Sequence, residues 1–256
     1  MKLELSGARA LVTGGSRGIG RSVVELLARE GCAVEFCGRA VICVEDAQAE
    51  LNRDGHTVKG TAIDLTDSSA VVDWVTHAVA RLKGLDILVA NASAMATGIT
   101  DEAWERNYRV EIASLREMVS IATPHLADSA RRRGDAAVVA IGSTSALHAR
   151  KPDAYGAVKA ALIHTVKGLS RSLIEDGIRA NVVSPGPVYS DDGIWGTVKA
   201  HDPEVFAAKL ETMPLGRMGS PGEIANVVVF LCSPRARYVV GDNIVVDGGR
   251  SDRPRY

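Results

Sequence analysis

Short apolar runs alternate with segments of helical periodicity along almost the whole chain. That alternation is the signature of βαβ units assembling a parallel sheet. It predicts strands over residues 8–12, 33–37, 57–63, 85–90, 136–141, 178–183 and 243–246. The runs at 85–90 and 136–141 are apolar almost throughout, as a strand covered on both faces must be. The first helix carries Val23, Val24, Leu26 and Leu27 on one stripe and stops at Gly31, a residue suited to the left-handed end of a helix. Further helices are predicted over 45–52, 67–82, 102–126, 154–175 and 223–232, with Asp67 or Ser68 capping the third. The rhythm fails between 189 and 218, where Gly193, Gly196, Pro203 and Pro214 are scattered. An insertion of that length in a compact domain usually covers a binding site. With no linker, low-complexity tract or internal repeat, the expectation is one doubly wound α/β domain over 1–256 with a lid at about 189–218.

Composition narrows the class. Of the 256 residues, 46% are hydrophobic, enough for a deep core without disulfides. A net charge of −1 supplies no long-range field toward nucleic acid or anionic lipid. The run Arg131-Arg132-Arg133 has no aromatic residues interleaved and reads as a solvated loop. Cys32, Cys37, Cys43 and Cys232 lack the spacing of a zinc site and fit free thiols in a reducing compartment. The start of the chain shows no apolar leader, and no stretch is long enough to span a bilayer. A soluble cytoplasmic protein without a metal, a membrane or a nucleic acid is expected.

Two patterns carry chemistry. The first predicted strand empties into Thr13-Gly14-Gly15-Ser16-Arg17-Gly18-Ile19-Gly20 and then a helix. Glycines in that context let the backbone turn sharply and approach a pyrophosphate, whose charge rests on the helix N-terminus. The second strand ends in Phe36-Cys37-Gly38-Arg39, with no carboxylate at its tip to grip ribose hydroxyls and repel a 2′-phosphate. Arg39 and Arg17 could clamp such a phosphate, so NADP(H) is favoured over NAD(H). Further on, Tyr155 and Lys159 stand four apart on a predicted helix and share a face. An ammonium beside a phenol stabilises phenolate, which makes Tyr155 a usable general acid or base. Ser143, just past the strand at 136–141, could hydrogen-bond a substrate oxygen.

With these segments in order, the sequence resembles the short-chain dehydrogenase/reductase family along essentially its whole length. The resemblance also rests on Asp64-Leu65, Ala90-Asn91-Ala92-Ser93, Ile141-Gly142-Ser143, the segment at 181–188 and the ending at 241–249. The tail from 216 to 249 resembles that of 3-oxoacyl-(acyl carrier protein) reductase-like members. The resemblance implies a Rossmann-type seven-stranded parallel sheet flanked by helices and an NAD(P)-dependent enzyme interconverting a ketone and a secondary alcohol. It makes Tyr155 the proton donor or acceptor, Lys159 the holder of the nicotinamide ribose and Ser143 the group that polarises the carbonyl. Cofactor contacts are implied for Gly14, Ser16, Arg17, Gly18, Ile19, Gly20, Arg39, Asp64, Leu65, Asn91, Pro185, Gly186, Val188 and Ser190. A homotetramer acting on a small carbonyl or alcohol substrate is implied as well.

Departures from the family pattern bear on mechanism. The family's Asn-Asn-Ala-Gly segment becomes Ala90-Asn91-Ala92-Ser93, so Ser93 must accept a glycine's backbone angles or the turn is rebuilt. Seven residues after Trp104, where members carry an asparagine that completes a proton relay, stands Glu111. A buried carboxylate there would pair with Lys159 and change how strongly Tyr155 is activated, which adds Glu111 to the catalytic candidates. Asn107, one turn earlier, is a poor substitute. Tyr189, Ile194, Trp195, Phe206, Leu210 and Met213 give the insertion an apolar inner face, and His148, Arg150 and Lys151 lie near the mouth. Two other readings stay open: an NAD-dependent alcohol or dihydrodiol dehydrogenase, and a catalytically weak NADP-binding sensor.

Overall fold

A computed structural model describes residues 2–149 and 152–252. The first half runs β1 (Arg9–Thr13), α1 (Gly18–Arg29), β2 (Ala33–Gly38), α2 (Val41–Arg53), β3 (Val58–Ala62), α3 (Ser68–Leu82) and β4 (Ile87–Ala90). The second half continues with α4 (Asp101–Asn107), α5 (Ser114–Arg133), β5 (Ala136–Ile141), α6 (Ala154–Leu173) and β6 (Ile178–Pro185). It ends with α7 (Ile194–His201), α8 (Pro203–Glu211), α9 (Pro221–Cys232) and β7 (Asn243–Val246). All seven strands pair in parallel in the order β3-β2-β1-β4-β5-β6-β7. This is the Rossmann-type, doubly wound, single-domain sheet that the pattern predicts.

Apolar side chains cover both faces of the sheet. Val23, Val24 and Leu27 of α1 pack with Val228 and Val229 of α9 on one face. Trp74 and Val75 of α3, Leu115 and Met118 of α5, and Leu162 of α6 fill the other. Burying each such side chain stabilises the fold by roughly 1.5–3 kcal/mol. The strand order reverses direction between β1 and β4, which in an open α/β sheet leaves a crevice beyond the carboxyl ends of the strands. At the opposite end, two ion pairs tie strand starts together. Arg9 grips Asp86 through Nε and Nη2, both at 2.7 Å, and Ser129 also donates to Asp86. Arg179 holds Asp135 at 2.8 and 2.9 Å and donates to the carbonyls of Leu231 and Ser233.

Local structure corrects several expectations. The helix predicted at 45–52 starts four residues earlier, because Ala40 enters it from an extended conformation and Val44 and Ala47 face the core. The single helix predicted at 102–126 is α4, a π-helical segment Tyr108–Ala113, and α5. Wider π turns rotate the later side chains relative to a regular helix, which turns Glu111, Ile112 and Ala113 inward. The triple-arginine run is the last turn of α5 rather than a loop, favourably placed against the helix dipole, and Arg131 and Arg132 both reach Asp128. The interval 189–218 holds two short helices, α7 and α8, neither of which contributes a buried residue. Asp67 caps α3 through Ser69 N and Ala70 N, and Gly31 takes the left-handed conformation after α1 (φ 85°).

Candidate functional site

The crevice is built on the end of β1. Gly14 has φ +67°, and a side chain there would sit 2.8 Å from Asn91 Nδ2 and 2.9 Å from Ala92 Cα, so only glycine fits. Asn91 clamps the crossover, its Nδ2 donating to the carbonyls of Thr13 at 2.9 Å and Gly14 at 3.1 Å. The amides of Asn91 and Ala92 both donate to Thr13 Oγ1 at 3.0 Å. The side chain of Asn91 thus fixes the turn, a role that the sequence alone left unstated. At the start of α1, Arg17 is extended, caps nothing with its side chain, and no acid lies in the first turn. Gly18 has no atom within 4 Å of where a Cβ would be. An uncapped helix start beside open space can receive an anion, and its free amides suit the pyrophosphate of a dinucleotide. Ser16 lies against Gly38, whose Cβ would be 2.8 Å from Ser16 Oγ, while Ile19 packs on the core and Gly20 is buried.

The flank of the crevice carries the expected charges. Arg39 is exposed just past β2, and Arg17 Nη1 donates to the Asp192 carbonyl of the insertion at 3.3 Å. Asp64 accepts from the Thr66 amide and hydroxyl, both at 2.9 Å. These bonds hold its carboxyl below the usual range, with the positive charges of Arg39 and Arg106 adding to them. Leu65 is buried in the core beneath. On the other side, β6 ends at Pro185, and Gly186 N donates to Val246 O. Val188 bridges Gly219 through the groups on either side of it, Pro187 O and Tyr189 N. Ser190 is half-buried next to it.

The proposed chemistry gathers where β5 ends. Ser143 follows Ile141 and Gly142, and its Oγ accepts from Ser145 N at 3.1 Å, which leaves the hydroxyl hydrogen free to donate elsewhere. Asp153 starts α6 by capping Gly156 N and also holds Gly98 N at 2.9 Å. That capping sets Tyr155, half-buried, in the first turn, with Lys159 one turn later. Lys159 is 1% exposed, and its Nζ lies 5.8 Å from the centre of the Tyr155 ring. It donates to the Ile141 carbonyl at 2.6 Å and to Glu111 Oε2 at 2.7 Å. The expected pairing of a buried Glu111 with Lys159 is therefore present. Glu111 Oε1 in turn accepts from Ser93 Oγ at 2.5 Å. Asn107 is elsewhere, its Nδ2 on the Ala96 carbonyl and its buried Oδ1 unpartnered.

Ser93 keeps ordinary backbone angles, and the left-handed conformation falls two residues later on Met95 (φ 51°). The turn is rebuilt rather than Ser93 strained. In the insertion, the Tyr189 and Phe206 rings meet edge-on at 5.7 Å, with Trp195 at 6.5 Å from Phe206. Lys199 and Lys209 lie over these rings. Met213 is buried and Leu210 half-buried, but Ile194 is 52% exposed and does not belong to an inner face, because α7 is not packed down on that side. His148 Nε2 lies 3.3 Å from Ser251 Oγ. Arg150 and Lys151 lie outside the described residues.

Residues 14–251 match the family described as enoyl-(acyl carrier protein) reductase. The chain belongs to the short-chain dehydrogenase/reductase family. It is an NAD(P)-dependent oxidoreductase of that family, which interconverts alcohols and carbonyls. It is 37% identical to the isoepoxydon dehydrogenase of Aspergillus clavatus over 251 residues, covering 96% of this chain and 95% of the relative. With the 3-oxoacyl-(acyl carrier protein) reductase of Vibrio cholerae it shares 33% identity over 96% of this chain and 98% of the other. The L-sorbose reductase of Gluconobacter frateurii, solved with NADPH and L-sorbose, superposes with a TM-score of 0.88 at 30% identity, covering 99% and 100% of the two chains.

Proposed function

We propose that this short-chain dehydrogenase/reductase is an NADP(H)-dependent reductase that converts a ketone to a secondary alcohol with Ser143, Tyr155 and Lys159. The observation that carries the reading is the cluster at the end of β5, where Tyr155 and the buried Lys159 share one helix face beside Ser143. The nicotinamide supplies the hydride when bound. Gly14, Ser16, Gly18, Ile19 and Gly20 would hold its pyrophosphate, and Arg17 and Arg39 the 2′-phosphate. Asp64 and Leu65 would lie by the adenine, Asn91 near the middle, and Pro185, Gly186, Val188 and Ser190 by the carboxamide. The absence of an acid at the tip of β2 supports NADP over NAD, as does the NADPH found with L-sorbose reductase.

Ser143 donates a hydrogen bond to the carbonyl oxygen of the substrate, and Tyr155 gives its phenolic proton to the alkoxide as it forms. Lys159 places a fixed positive charge beside the phenolate left behind and stabilises it. The residues 189–218 act as the lid, with the Tyr189, Trp195 and Phe206 rings gathered in one cluster on it beside Lys199 and Lys209. That aromatic cluster and the relationship to isoepoxydon dehydrogenase favour a ring ketone over a linear 3-oxoacyl thioester. The test is oxidation of NADPH and NADH by the purified protein with cyclic ketones, quinones and β-keto thioesters. Turnover of a ring ketone with NADPH is expected. Preference for NADH points instead to the alcohol dehydrogenase reading, and tight NADPH binding without turnover in either direction points to a sensor.

A further inference from the structure

We propose that Ser93 and Glu111 form a proton path that reloads Tyr155 through Lys159 after each reduction; this rests on the function proposed above. Three side chains from three separate segments stand in line. Lys159 Nζ donates to Glu111 Oε2 at 2.7 Å, and Ser93 Oγ donates to Glu111 Oε1 at 2.5 Å. Lys159 and Glu111 are 1% and 4% exposed, whereas Ser93 is half-buried and its hydroxyl also accepts from the amide of the exposed Met95. The line therefore runs from the buried end of the site to the edge of solvent. The π turn at Tyr108–Ala113 is what aims Glu111 inward, and such turns recur at functional sites.

The chemistry balances one proton per turnover. Hydride goes to the carbonyl carbon and the Tyr155 proton to its oxygen, which leaves a phenolate. The Lys159 ammonium, 5.8 Å from the centre of the Tyr155 ring, returns a proton to that phenolate through a bridging water and becomes a neutral amine. A hydronium ion at the solvent edge gives its proton to Ser93 Oγ, becoming water, as Ser93 passes its own hydroxyl proton to Glu111 Oε1. Rotation of the carboxyl group then presents that proton to the lysine, restoring the ammonium and the carboxylate. An amide at position 111 could position Lys159 through its oxygen, but it could not pass a proton on.

Glu111→Gln and Ser93→Ala test this by rapid mixing of protein and NADPH with the ring ketone that the wild-type chain turns over best. Tyr155 starts each experiment protonated, so the first turnover is expected to survive in both variants, with a burst of about one NADPH per chain. The steady rate that follows is expected to fall about tenfold or more, with a larger solvent deuterium isotope effect than wild type. NADPH titration confirms that each variant is folded and binds. Because Glu111→Gln weakens a buried ion pair, Ser93→Ala, which keeps that pair, is the second arm. Loss of the burst together with the steady rate overturns the path and makes Glu111 a structural partner of Lys159. A wild-type steady rate in either variant also overturns it. If the wild-type chain reduces no carbonyl, the functional reading fails first and takes this one with it, whereas Tyr155→Phe without a burst upholds that reading on its own.

Discussion

The two ends of the sheet both hold ion pairs, two at the amino ends of the strands and one at the carboxyl ends, and they use them differently. At the amino ends of the strands, Arg179 divides four hydrogen bonds among Asp135, Leu231 and Ser233, and Arg9 commits three nitrogens to Asp86 and Lys83. Asp86 takes a further bond from Ser129. Each guanidinium holds its carboxylate through two nitrogens and reaches carbonyls of neighbouring elements besides, which is the condition under which a buried pair is tolerated. At the carboxyl ends, Lys159 spends two of an ammonium's three donors, on Glu111 and Ile141. The pairs at the strand starts hold strands together. The pair at the carboxyl ends lies beside Ser143 and Tyr155, where the remaining donor of Lys159 is available to whatever enters.

The largest effect that would break this contrast concerns Tyr155. Tyr155→Phe is expected to lower kcat by roughly a thousandfold or more while NADPH affinity, read by fluorescence titration, stays close to wild type. Next comes the opposite end. Arg179→Met leaves Asp135 unpaired and is expected to destabilise the fold by about 3 kcal/mol, with kcat per folded molecule unchanged. Calorimetry and active-site titration together check it; a kcat loss without a drop in Tm would erase the distinction between the ends. Arg39→Asp, at the rim of the crevice, is expected to weaken NADPH binding about tenfold or more and leave NADH nearly untouched.

The smallest effect is one of pH. Burial pushes the Asp86 carboxyl up, but the bonds from Arg9 and Ser129 outweigh it and hold the carboxyl below its ordinary value in the folded state. A depressed carboxyl contributes stability above its unfolded value and loses it as pH falls through the folded one. Asp86→Asn is therefore expected to lower Tm near neutral pH. The gap from wild type should close as the solution is acidified, a trend visible in thermal melts across an acid series.

Much of this was legible from the residues. All seven strands, the glycine turn and the Tyr155, Lys159 and Ser143 cluster follow from period, spacing and order, because each depends on local chain chemistry. Glu111 was also visible, as a carboxylate seven residues after Trp104, where the family pattern has asparagine. What stayed hidden depends on contacts far apart in sequence. The π turn leaves no distinctive residue pattern, since its extra residue per turn goes with how α4 and the π segment itself pack on α6. The clamp from Asn91 to Thr13 and Gly14 and the bond from Ser93 to Glu111 join segments that only the crossover brings together. The exposed side of Ile194 follows from how loosely the insertion is packed, which hydropathy alone does not reveal.

The thiols offer a handle on the molecule. Burial pushes the Cys32 and Cys37 thiols up to about 12 and that of Cys232 higher, so these three resist alkylation in the folded chain. Cys43 alone among the four is exposed, in the first turn of α2 and four residues past Arg39. A maleimide dye added to the native protein would therefore attach at one address, next to the proposed phosphate clamp. Its emission would report occupancy of that corner in real time, without any need to know what the enzyme reduces.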